Sequence, residues 1–163
     1  EAISKLSEQY PEMKNTTEIA ILGGHAEELV GKLALKVNSL GYVNDLQKIR
    51  LVYSASDVFV LPSLEDNLPN TIMEALACGI PCVGFSVGGI PEMIEHTING
   101  YVAASKDSTD LASGIHWVLE EADYQKLSGA AVEKVQACYS QKSVAERYIE
   151  VYEKALSNTH YAL

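Results

Sequence analysis

Apolar residues along this chain follow two rhythms. Short continuous runs at Glu18–Leu22 (EIAIL), Val37–Leu40, Asp57–Leu61 (DVFVL), Pro81–Phe85 (PCVGF) and Gly100–Ala103 (GYVA) have the length and character of strands. Between them, apolar residues recur three and four apart. That spacing predicts helices over Ala2–Gln9, from about Ala26 to Leu35 (Leu29, Val30 and Leu33 on one face), from the Asp45 cap to about Ala55, and over Pro69–Ala77. From Ser108 onward no strand pattern occurs, and Thr109–Glu121, Tyr124–Tyr139 and Lys142–Leu156 read as three successive helices. The alternation predicts an α/β fold. It has an open, mostly parallel sheet of about five strands with helices on both faces, and an all-helical C-terminal segment. DVFVL reads as the middle of such a sheet.

In an open parallel sheet, ligands bind beyond the carboxyl ends of the strands. Four loops leave such ends: Gly23-Gly24-His25, Gly41-Tyr42-Val43, Pro62–Leu68 and Ser86–Gly89. The third opens the helix at 69–77, where Pro69 fits the first helical position, its missing N–H having no partner there anyway. The amides of Asn70 and Thr71 then point outward with partial positive charge and suit a phosphate. At 100° per residue Ile72, Met73 and Leu76 form one buried stripe, with Glu74 opposite Ile72 and on the same face as Asn70. Glu74 is the one charge on a helix otherwise fit for burial, with little polar company in Ala75, Leu76, Ala77 and Cys78. A carboxylate so placed can accept two hydrogen bonds from a vicinal diol such as a ribose. Asp66, in the loop, can grip another part of the same ligand. The plainer alternative is that Asp66 and Glu65 are solvated loop acids and that Glu74 complements the helix dipole or meets a lysine.

Composition narrows the classes. The chain has 163 residues, 47% of them apolar and 21% charged, which suits one folded domain. A net charge of −10 argues against nucleic acid or an anionic membrane as partner, while leaving room for a small phosphorylated ligand held by backbone amides. No apolar run approaches the roughly 20 residues of a membrane span. Cys78, Cys82 and Cys138 form no disulfide framework and no metal spacing. Cys78 and Cys82 read as buried thiols in a reducing compartment.

Residues 51–103, LVYSASDVFVLPSLEDNLPNTIMEALACGIPCVGFSVGGIPEMIEHTINGYVA, closely resemble the donor-binding domain of family-4 retaining glycosyltransferases. The likeness extends upstream through EIAILGG and VNSLGYVNDL and loosely into the C-terminal helices. It implies one of two Rossmann-like domains facing each other across a cleft, the GT-B fold. It further implies transfer of a hexose from a UDP- or GDP-linked donor to an acceptor hydroxyl, in building a polysaccharide or glycoconjugate. The family's paired acids fall on Asp66 and Glu74, the first being Asp where the family usually has Glu. Glu74 would take the ribose and Asp66 the transferred sugar. The sugar and diphosphate would lie near Asn67, Leu68, Asn70 and Thr71, and the base near Gly23, Gly24, Tyr42 and Val43. Pro69 stands where a glycine is frequent and removes one amide. Retention is generally attributed in this family to front-face departure and attack, so no covalent nucleophile, metal or separate cofactor is implied.

One departure from the pattern carries an expectation. Nothing before Glu18 resembles the family's first strand and basic glycine loop, and the chain opens at Glu1 on a helical pattern. The expectation is a donor half of a longer, cytoplasmic protein, peripheral at the inner face of the membrane, partnered by an N-terminal acceptor-binding domain and inactive in transfer on its own. Dimerisation through an exposed strand edge or helix face is a further expectation. A nucleotide-sugar epimerase of similar architecture and a non-catalytic nucleotide-binding domain are the rival readings. His25, His96, His116 and His160 lack metal or nucleophile spacing, no G-x-S-x-G surrounds a serine, and no G-x-G-x-x-G is present.

Overall fold

A computed structural model describes residues 1–24 and 26–158, so that His25 and His160 lie outside the described residues. Helix α1 (Ala2–Gln9) and a 3-10 turn (Pro11–Asn15) precede strand β1 (Glu18–Leu22). Then follow β2 (Lys36–Gly41), α2 (Leu46–Ser54), β3 (Phe59–Leu61), α3 (Asn70–Ala77), β4 (Cys82–Phe85), the short α4 (Ile90–Met93) and β5 (Gly100–Ala103). The C-terminal segment is helical: α5 (Ser108–His116), continuing as a π turn at Trp117–Glu121, then α6 (Tyr124–Cys138) and α7 (Gln141–Asn158).

Among the described residues the strands pair in parallel, and they do so as two sheets rather than one. β1 lies beside β2, and β3–β4–β5 form the other sheet in that order. DVFVL is therefore not central. β3 is an outer strand with three half-buried residues, and the middle belongs to Cys82–Phe85, all four of which are buried. That burial matches its unbroken apolar composition, since a parallel strand covered on both faces has no polar side.

The helix expected over Ala26–Leu35 does not form. A single 3-10 turn spans Ala26–Glu28, and the chain then winds irregularly. Gly31 sits at φ +74°, outside the right-handed helical region, and Leu29 and Val30 face solvent, so the stripe has no core to pack against. Elsewhere caps match the sequence. Asp45 accepts from the amides of Gln47 and Lys48, and Asp107 from those of Thr109 and Asp110, at the starts of α2 and α5.

Two apolar clusters fill the interior. In one, Leu6, Met13 and Leu35 from the N-terminal third meet Val83, Phe85, Leu111 and Ile115, with Ile19, Val58 and Val60 against them. In the other, Ile72, Ala75 and Leu76 of α3 meet Ile90, Met93, Ile94 and Ala131. Burying side chains such as Ile72 and Leu76, both 0% exposed, contributes about 1.5–3 kcal/mol each and fixes α3 beneath the loops at the strand ends.

Candidate functional site

Two loops that follow neighbouring parallel strands come together first. The segment 62–68 leaves β3, and Ser86–Gly89 leaves β4. The Gly89 amide donates to the Asp66 carbonyl oxygen at 3.3 Å. Gly88 holds φ +49°, and a Cβ there would collide with that same carbonyl; a Cβ on Gly89 would collide with the carbonyl of Asn67. Glycine is thus required twice by close backbone approach. Between the loops lies a shallow concavity of about 530 Å³, lined by Leu64, Glu65, Asp66, Asn67, Val87 and Gly88. Asp66 is half-buried at its wall, and among the described residues its carboxylate carries no hydrogen bond.

Helix α3 begins at the end of the first loop. Buried Pro69 is the residue before the helix rather than its first member, with extended backbone at φ −66° and ψ 119°. Its carbonyl receives the Ile72 amide at 3.1 Å, which leaves the Asn70 and Thr71 amides outside the intrahelical ladder. No side chain caps this terminus, and both residues are exposed, so the free end of the helix is open to a ligand.

The helix is not apolar all round in its setting. Asn70, Thr71, Glu74 and Ala77 form an exposed face, and Glu74 lies on it in contact with solvent. Its carboxylate is not without company either: Oε2 accepts from the Tyr53 hydroxyl at 3.0 Å. Tyr53 is only 6% exposed, its ring set edge-on to Phe59 at 5.7 Å. Burial, and then the hydrogen bond and charge of Glu74, push the Tyr53 hydroxyl well above the ordinary tyrosine range, so it stays a donor.

A second grouping sits at the ends of β1 and β2. The Gly23 amide donates to the Gly41 carbonyl at 2.8 Å, and Gly24 lies against the Tyr42 hydroxyl. Tyr42 is 82% exposed and Val43 half-buried. The structure therefore unites Asp66 and Asn67 with Gly88 and Gly89, and Gly23 and Gly24 with Gly41 and Tyr42. Among the described residues no hydrogen bond joins the two groups.

Other candidates resolve into structure. His116 stacks on Tyr10 at 3.6 Å and contacts Glu121 at 3.1 Å, and His96 accepts from the Val102 amide at 3.2 Å. Cys82 is fully buried, which raises its thiol far above the usual range; Cys78, expected to be buried as well, is half-exposed at the end of α3. Among the described residues no cluster of His, Cys, Asp and Glu could hold a metal ion, and no helix is long and apolar enough to cross a membrane.

Comparison with known proteins supplies a frame for this geometry. The family model described as "Glycosyl transferases group 1" matches residues 1–121. A glycosyltransferase of Methanocaldococcus jannaschii is 32% identical over 135 residues, covering 81% of this chain and 34% of its own length. The amylovoran biosynthesis glycosyltransferase AmsK of Erwinia amylovora is 29% identical over 152 residues, covering 89% and 35%. The chain spans about a third of the length of these relatives. Among solved structures, Anabaena Alr3699/HepE in complex with UDP superimposes with a TM-score of 0.77 at 21% identity, over 94% of this chain and 44% of that one. Sucrose-phosphate synthase from Thermosynechococcus elongatus gives 0.75 at 22% identity, over 97% and 44%. At these identities the structural likeness establishes the fold, and it agrees with the parallel α/β architecture read from the sequence.

Proposed function

The chain belongs to the glycosyl transferases group 1 family, and from that premise we propose that it is the donor-binding half of a retaining hexosyltransferase that uses a nucleoside diphosphate sugar. The observation that carries the reading is the uncapped start of α3, with exposed Asn70 and Thr71 amides beside the Asp66 loop and the Glu74 carboxylate one turn further along. Amides at a helix start stabilise the diphosphate, and they do so most as negative charge develops on the departing nucleotide.

In this reading Glu74 accepts the ribose hydroxyls and Asp66 the hydroxyls of the transferred sugar. Asn67 and Leu68 border the sugar. Gly23, Gly24, Tyr42 and Val43 border the base, the Tyr42 ring being exposed and available. No metal or separate cofactor is assigned. The remainder of a longer protein would contribute an acceptor-binding domain, and the exposed Tyr148, Ile149, Tyr152 and Leu156 of α7 support such a contact. UDP named with the Anabaena neighbour, and amylovoran biosynthesis named for the Erwinia relative, support the donor class and the biosynthetic setting.

Isothermal titration of the chain with UDP, GDP and their glucose conjugates, beside Glu74→Ala, tests the proposal. Saturable binding with preference for one base, weakened about tenfold or more in the variant, is the expected result, a charged hydrogen bond being worth roughly 1.5–3 kcal/mol. A folded chain that binds none of the four ligands contradicts it.

A further inference from the structure

Resting on the nucleotide-sugar reading above, we infer that Tyr53 is a positioning residue of that site, its hydroxyl holding the Glu74 carboxylate in the orientation that receives a ribose diol. A glutamate on an exposed helix face has several rotamers of similar energy and meets a ligand only after one is selected. Here one carboxylate oxygen is tied to a donor that hardly moves. The Tyr53 ring is buried at the end of α2, braced by Phe59, and leaves its hydroxyl pointing at Glu74 Oε2. The bond spans two different helices, α2 and α3, so it also fixes the distance between them at the site. A carboxylate offers about four acceptor positions, and the tyrosine uses one. Glu74 is an exposed residue and no other hydrogen bond to its carboxylate is found among the described residues, which leaves Oε1 and the second lone pair of Oε2 for a pair of adjacent hydroxyls.

The hydroxyl is the part of Tyr53 that this role needs. Burial of the ring alone is a packing contribution that phenylalanine would supply equally. A buried phenol does need a hydrogen-bond partner, but many backbone carbonyls would serve that purpose. The partner chosen is the one carboxylate on the exposed face of α3.

The test compares the chain with Tyr53→Phe, Glu74→Gln and the double variant. Each is titrated with whichever of UDP and GDP the wild type binds, and with its 2′,3′-dideoxy analogue. Wild type should prefer the ribose form by about tenfold. Tyr53→Phe should lose most of that preference while binding the dideoxy form as wild type does. The double variant should be no weaker than Glu74→Gln, because the two residues act as one unit. An intact amide NMR fingerprint for Tyr53→Phe confirms that the fold is unchanged. A Tyr53→Phe chain that keeps the full ribose preference, that weakens both nucleotides equally, or that fails to fold overturns the inference. A wild-type chain that binds no nucleotide, or that binds both sugar forms alike, overturns the ribose role of Glu74 itself and the inference with it.

Discussion

Asp66 and Glu74 are both acids close to the start of α3, yet their surroundings differ. Asp66 is half-buried at the wall of a concavity, and its backbone carbonyl is pinned by Gly89. Glu74 is exposed and tied to Tyr53. Asp66→Ala should therefore abolish the added affinity of a sugar nucleotide over its parent diphosphate and leave the parent unchanged, as calorimetry can read. Equal losses for both ligands would place Asp66 against the nucleotide. Gly88→Ala acts on the same loop from behind. A methyl group there meets the Asp66 carbonyl while the backbone holds a positive φ, so the loop must shift. Sugar-nucleotide binding should fall about tenfold or more, with a lowered Tm. Of these residues, Glu74 was conspicuous in the sequence as the one charge on an apolar helix, and Asp66 as the loop acid that the family's spacing pairs with it. Tyr53 was not: at helical spacing it reads as one more core aromatic, and only the fold brings its hydroxyl, 21 positions away in sequence, to Glu74.

At the scale of the element, α3 and its neighbours were legible because local chemistry and packing agree. Ile72, Ala75 and Leu76 repeat at helical spacing and are all fully buried. Ile72→Ala should destabilise the chain by about 2–5 kcal/mol in a denaturant titration, the cost of a large-to-small change in a packed core. The segment 26–35 shows where pattern alone fails. Its apolar residues repeat suitably, but Gly31 adopts a left-handed φ and no facing element covers Leu29 and Val30. Helix α4 went unread because four residues carry too little periodicity. Caps are a further element-scale device with a pH signature. The amides of Asp110 and Thr109 hold the Asp107 carboxyl below the usual carboxylate range. The folded value being the lower one, this stabilisation is complete above the ordinary aspartate value and is lost as pH falls through the folded one. Asp107→Ala should lower Tm at neutral pH, and its difference from wild type should shrink in strong acid, where only the weaker neutral cap is left. A difference that stays constant with pH would assign the effect to something other than the cap.

For the whole molecule, the alternation of strands and helices foretold the parallel architecture, whereas the division into two sheets depends on pairings that no local pattern encodes. What unites the sheets is a shared core. Leu6 of α1, fully buried, belongs to the same apolar cluster as Val83 and Leu111, far along the chain. Leu6→Ala should cost about 2–5 kcal/mol. The loss should appear equally in far-ultraviolet dichroism and in the fluorescence of Trp117, which packs on the same cluster. Transitions that separate would mean the N-terminal third unfolds by itself. The central claim, that the strand-end loops and the start of α3 receive a nucleoside diphosphate sugar, is tested most directly by mapping amide NMR shifts during titration with UDP- and GDP-glucose. Saturable shifts concentrated at residues 23–24, 41–43, 64–71 and 87–89 are the predicted result. Saturable shifts centred elsewhere on the chain, or none in these loops, would contradict the account.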